Sequence, residues 1–155
     1  MQLKPRTFIQ ATPSLNHTNF EQTIIFITEY DSNGATGFII NKLFHRQLNE
    51  LHEFSGGIAF PLYEGGPVDN EHLYFLHQRP DLIQGGALIA NDIYLGGDFA
   101  QAINSINNKS ITAKDIKICI GYCGWDTNEL ETEIEEGSWT IVNDITNIFL
   151  PNFTL

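Results

Sequence analysis

A chain of 155 residues has the length of one ordinary domain and can bury a core without disulfides or a structural metal. Its 42% apolar and 17% charged residues exclude a disordered chain, and 11 Phe point to a core rich in aromatics. The net charge of −11, with only eight Lys and Arg and none beyond Lys117, excludes the electrostatic footprint of a nucleic-acid or anionic-membrane binder.

From the N-terminus, MQLKPRTFIQATP has no apolar h-region of the ~7–15 residues a secretory signal needs. The longest apolar runs are far below the ~18–20 residues of a membrane span. Two cysteines and no export signal predict a reducing, cytoplasmic location. Thr7–Ala11 reads as a first strand, ended by Pro13. Thr23–Tyr30 (TIIFITEY) carries a continuous apolar core, the pattern of a strand buried on both faces. Asp31–Gly34 (DSNG) is a turn by composition, and Gly37–Asn41 returns as its hairpin partner across a loop of about four residues.

Phe44, Leu48 and Leu51 fall at i, i+4 and i+7, which predicts a helix from about Phe44 to Phe54, stopped by Ser55-Gly56-Gly57. Phe60–Glu64 and His72–His77 read as strands, and Gly85–Leu95 as one or two short ones around Asn91-Asp92. Asp98 is placed to cap a helix with the stripe Phe99, Ala102, Ile103 and Ile106, which ends at Asn107-Asn108. Ile116–Gly121 is a strand. Asp126 and Glu129 have the spacing of a capping box, predicting a helix to about Glu136 that stops at Gly137. Trp139–Val142 closes the set, before an apolar tail, Asn147–Leu155. Hairpins come early and no strict βαβ rhythm appears, so the expected class is α+β with a mixed sheet, in a single domain over residues 1–155.

Gly65-Gly66-Pro67-Val68-Asp69 could admit an anion to backbone N–H groups. The same residues make a tight turn, and neither G-x-x-x-x-G-K-[ST] nor G-x-G-x-x-G occurs in the chain. Cys119 and Cys123 lack redox spacing. A helix start beside Cys123 would lower its thiol pKa, and the acids nearby would raise it. His17, His45, His52, His72 and His77 have no zinc-like spacing, so neither a metal nor a cofactor is expected. Trp125 and Trp139 flank an acidic helix, either as the wall of a pocket or as core.

Three blocks now resemble the YqgE/AlgH family of bacterial proteins: Phe20–Asn41 (FEQTIIFITEYDSNGATGFIIN), Tyr63–Val68 (YEGGPV) and Gly121–Trp139 (GYCGWDTNELETEIEEGSW). Order and spacing agree over about residues 7–145. The resemblance implies an α+β fold whose mixed, largely antiparallel sheet curls into a pseudo-barrel with a few helices packed outside. It implies no established activity, although one member is described as a regulator of alginate synthesis. The matching positions are Asn41, Gly65, Gly66, Pro67, Val68, Gly121, Trp125, Leu130, Glu131, Glu133 and Trp139. The chain departs from the pattern at Lys42-Leu43 (Arg-Pro in the family), at Cys123 (Ser) and at Glu129 (Gln), and the family runs further than Leu155.

With no recognisable nucleophile, metal set or cofactor loop, the expected function is a non-catalytic binding or regulatory module. Its surface would be a crevice of Asn41, Gly65, Gly66, Pro67, Val68, Gly121, Cys123 and Trp125, meeting a protein or small-molecule partner. The alternative is a small-molecule binder or enzyme in the same crevice, with Asn41 as hydrogen-bonder and Glu131 as acid/base. A DNA-binding transcriptional regulator is disfavoured by the net charge and the missing basic helix.

Overall fold

A computed structural model describes residues 3–90, 92–143, 145 and 147–149. Nine strands form one sheet: β1 (Phe8–Ala11), β2 (Ile24–Asp31), β3 (Gly34–Ile39), β4 (Leu62–Glu64), β5 (Val68–His77), β6 (Ala87–Ala90), β7 (Ile93–Leu95), β8 (Ile116–Asp126) and β9 (Trp139–Val142). Helix α1 is Phe99–Asn107 and α2 is Glu129–Glu135. The sheet runs β6-β7-β5-β8-β3-β2-β1-β9, with β4 added parallel to β8 and every other pairing antiparallel. The expected α+β class and largely antiparallel sheet are both present. Among the described residues β6 and β9 do not pair, so the sheet stays open rather than closing into a barrel.

The apolar run of β2 is buried on both faces. Ile24 and Phe26 point into one cluster with Phe8, Phe38 and Ile40, while Ile25 and Ile27 point into another with Ile9 and Trp139. The second cluster is covered by α2 through Leu130, and α1 covers a third through Ala102 and Ile106. The hairpin is tighter than expected. Asp31 pairs with Gly34, so the loop is Ser32-Asn33 alone, braced by Asp31 Oδ1 accepting from Asn33 N–H at 2.8 Å. The cap of α1 is as expected, with Asp98 Oδ1 accepting from Gln101 N–H at 3.0 Å.

Two expectations fail. No α-helix spans Phe44–Phe54. That segment is a loop with two short 3-10 turns, Leu48–Glu50 and His52–Phe54. Its backbone pairs with the approach to β4 instead, Phe44 N–H donating to Leu62 O and Leu48 N–H to Phe60 O, each at 2.8 Å. An isolated helix of this length is marginal, and these tertiary hydrogen bonds outweigh it. Likewise Asp126 is the end of β8, held opposite Gly34, and α2 starts later, after Asn128 in the left-handed region (φ 66°). One half of the capping box survives, with Glu129 Oε1 accepting from Asp126 N–H at 3.1 Å. Of the expected features around Asn91 and in the tail, Asn91 and residues 150–155 lie outside the described residues.

Candidate functional site

The G-G-P-V turn and the G-Y-C-G-W segment meet at a backbone crossing. One edge of β8 pairs with β4 over Ile118–Ile120 and then with β3 over Cys123–Asp126. The change of partner falls at Gly121, which is left-handed (φ 70°) and would drive a Cβ to 2.5 Å from Gly66 O and 2.7 Å from Val68 O. Gly65 knits the same point. Its N–H donates to Ile120 O at 2.8 Å, and its carbonyl accepts from Ile39 N–H at 2.9 Å and from Cys123 Sγ at 3.5 Å. A Cβ on Gly65 would lie 2.8 Å from Cys119 Cβ. These glycines are required because backbones pass where no side chain fits.

The other motif residues are also engaged in packing. Asn41 Oδ1 accepts from Ile24 N–H at 2.8 Å and its Nδ2 donates to Gln22 O at 2.9 Å, so both ends of the amide hold the entry to β2. Glu131 Oε2 accepts from the Tyr30 hydroxyl at 2.7 Å, which raises the Tyr30 pKa. Glu133 Oε1 accepts from both indoles, Trp125 Nε1 at 3.1 Å and Trp139 Nε1 at 3.0 Å, and the rings meet edge to face at 6.2 Å. Cys123 is buried, and desolvation pushes its thiol up to about 12. Glu129 and Cys123 do the work their family counterparts could do: a Gln oxygen accepts from Asp126 N–H as a Glu oxygen does, and a Ser hydroxyl donates to Gly65 O more strongly than a thiol.

Only Gly66 and Pro67 of the expected site residues border a surface groove of about 870 Å³. Asn41, Gly65, Val68, Gly121, Cys123, Trp125 and Glu131 do not line it. Its floor is the unfinished end of the α1-covered cluster, where Phe44, Leu51, Phe54, Leu73, Phe99 and Ile120 are partly buried. One wall is the loop after β3, with Lys42, Arg46, His52 and Glu53, and Asn19 and Phe20 close one end. The opposite wall is a bulge in β5. Val68 pairs with Tyr122 and Leu73 with Ile120, so Asp69–His72 stand opposite Gly121 alone. Bulges re-aim side chains, and this one turns Asn70, Glu71 and His72 to the groove.

Asp69, left-handed at φ 53°, organises the bulge. Its carboxylate accepts from the Tyr74 hydroxyl and pairs with His72 Nδ1 at 2.5 Å. The Tyr74 bond first, and then His72, hold Asp69 below its ordinary pKa. Asp69 in turn raises His72 and pushes Tyr74 up to about 12. Across the groove Lys42 pairs with Glu64 at 3.2 Å and donates to Asn19 O at 3.0 Å. Arg46 lies 5.8 Å from the centre of the Phe44 ring. None of this was read from the sequence, because the groove is assembled from separate segments. The signal that could have pointed to it is the local density of basic residues in KLFHRQLNELH, residues 42–52.

Two further buried groups escaped the sequence reading. Lys117 is buried, donates to Ile40 O at 2.6 Å and lies 4.1 Å from the Tyr63 ring centre; desolvation brings its pKa down to about 8. His77 is fully buried and its pKa is lowered by burial. Nε2 contacts Gly96 O at 2.9 Å and Nδ1 accepts from Arg79 N–H at 3.1 Å, which fixes a neutral ring. Among the described residues no cluster of His, Cys, Asp and Glu is arranged to hold a metal, and no helix is long and apolar enough to cross a membrane.

Residues 8–152 match the family model described as AlgH-like. The UPF0301 protein of Chlorobaculum tepidum is 36% identical over 137 residues, covering 88% of this chain and 73% of that protein. A UPF0301 protein of Bacteroides thetaiotaomicron is 32% identical over 143 residues, covering 92% and 72%. The solution structure of the AlgH protein from Pseudomonas aeruginosa superposes with a TM-score of 0.70 at 25% identity, covering 92% of this chain and 80% of the other. A crystal structure of protein DIP2367 from Corynebacterium diphtheriae has a TM-score of 0.74 at 15% identity, covering 96% and 85%, a likeness of fold alone.

Proposed function

The chain belongs to the AlgH-like family, one of uncharacterised function, and we propose that it is a cytoplasmic, non-catalytic binding module whose ligand seats in the groove between the Lys42–Phe54 loop and the β5 bulge. The observation that carries this reading is the groove itself. About 870 Å³ lies within the ~300–1,000 Å³ of small-molecule sites, with an apolar floor and walls of polar and charged side chains. The surface is therefore shifted from the motif crevice to the face that only Gly66 and Pro67 share with it.

Covalent catalysis by a hydroxyl or thiol is disfavoured, because the groove lining carries no Ser, Thr or Cys and both thiols are buried and pushed up to about 12. A duplex partner is disfavoured by α2, whose Glu129, Glu131, Glu133 and Glu135 make it anionic.

A thermal-shift screen of nucleotides, sugars, organic acids and aromatic amines tests the reading, run on the wild type and on Asn70→Trp, which fills the groove from an exposed bulge position. A ligand at 100 times its Kd adds about 2.7 kcal/mol to stability. The expected result is a stabilising compound that loses its effect in Asn70→Trp. No stabilisation of the wild type, or stabilisation that survives Asn70→Trp, refutes the groove as the site.

A further inference from the structure

Resting on that reading of the groove, we infer that its ligand is a small organic anion with a flat apolar body. The first argument is that the groove is close to neutral in a chain of net charge −11. Two of the eight Lys and Arg (Lys42, Arg46) and two of the five His (His52, His72) line this one groove, against three of the nineteen acids (Glu53, Glu64, Glu71). Lys42 and Glu64 pair with each other, which leaves Arg46, His52 and His72 beside Glu53 and Glu71. The repulsion that this acidic chain exerts on an anion is therefore weaker at the groove than the net charge implies.

The second argument is the preparation of individual groups. Arg46 has no ion pair among the described residues, and its guanidinium lies over the Phe44 ring, which holds an unpaired cation at the groove wall. A planar guanidinium beside a ring suits a ligand whose acid group adjoins its own flat body. On the facing wall His72 is fixed by Asp69 through Nδ1, and Asp69 is fixed by Tyr74. Nε2 is left as the ring's second hydrogen-bonding atom on a side chain that lines the groove. The third argument is the floor, where Phe54 and Phe99, with ring centres 5.8 Å apart, offer aromatic surface rather than polar partners.

Two dyes with one ring system decide it. Anilinonaphthalene sulfonate carries an acid group on a flat aromatic body, and N-phenylnaphthylamine is the same body without the charge. Fluorescence titration at pH 7 and low salt gives the affinity of each for the whole chain. The sulfonate binds at one site, about tenfold or more tighter than the neutral dye, as a charge-assisted contact requires. Arg46→Gln weakens the sulfonate about tenfold and leaves the neutral dye unchanged. His72→Gln acts in the same direction, and unchanged melting temperatures show both variants folded. Equal affinities for the two dyes, an Arg46→Gln variant without effect, or no saturable binding of either dye overturns the inference. The first two results leave the groove standing as a site and remove only the anion. The groove itself fails by the separate criterion of the Asn70→Trp screen.

Discussion

Replacing Glu133 by Ala removes the single oxygen on which two tryptophans depend. Trp125 and Trp139 are 9% and 2% exposed, and both indole N–H groups donate to Glu133 Oε1, at 3.1 and 3.0 Å. A buried donor left without its acceptor costs about 1–3 kcal/mol. Glu133 is itself only part-buried, so water re-entering at the truncated side chain recovers some of that cost. The expected destabilisation is about 2–4 kcal/mol. Glu133→Gln keeps an acceptor oxygen but loses the charge, and is expected to cost about 1 kcal/mol. Glu135→Ala on the exposed face of α2 is the control, expected within about 0.5 kcal/mol of wild type. Urea unfolding followed by tryptophan fluorescence reads all three, because these two indoles are the chain's only tryptophans. A Glu133→Ala protein within about 0.5 kcal/mol of wild type at unchanged m-value would refute the view that the acids of α2 anchor it.

Cys123→Ser is expected to be tolerated within about 1 kcal/mol, because the hydroxyl can donate to Gly65 O, whereas Cys123→Val leaves that carbonyl one donor short and costs more. Both variants are compared by urea melts, with thiol titration at pH 8 expected to find neither native cysteine reactive, since each is buried and pushed up to about 12. Stability has two pH windows of the same sign. Lys117 has a folded pKa of about 8, below its free value of 10.5, so the unfolded chain holds more protons between those limits. Stability therefore rises from pH 8 towards 10.5 by a few kcal/mol, on the order of 3, and Lys117→Met abolishes that rise. His77 is also depressed by burial, so stability falls as pH drops below its free value of 6.5; a His77→Gln protein showing the same acid slope as wild type would count against that assignment.

What could be read beforehand was set by neighbours in sequence. The β2–β3 hairpin announced itself because the apolar run and the D-S-N-G turn are contiguous, and Asp98 could be named as a cap because the N–H that donates to it lies three residues away. The Phe44–Leu51 periodicity misled because the same three side chains satisfy a loop whose backbone is paired to Phe60 and Leu62, a competition invisible within the segment. Asp126 misled for the same reason, its partner being Gly34. The family motifs were legible as a pattern, but not their work, because Gly65 is required by the backbone of Gly121, and Gly121 by that of Gly66 and Val68, more than 50 positions away in the chain. Lys117 and His77 looked like ordinary polar positions in strands, and only the third dimension shows them buried.

The crossing of Gly65, Gly66 and Gly121 has a consequence for how relatives are compared. The residues that identify the family are those whose alteration would break the fold, while the groove is edged by side chains such as Arg46, Asn70 and His72 that are exposed and can vary without threatening it. A saturation screen for folding and a screen for binding should therefore light up largely different positions, overlapping at Gly66 and Pro67. Two proteins that share the signature share a scaffold, and their ligands can diverge independently of it.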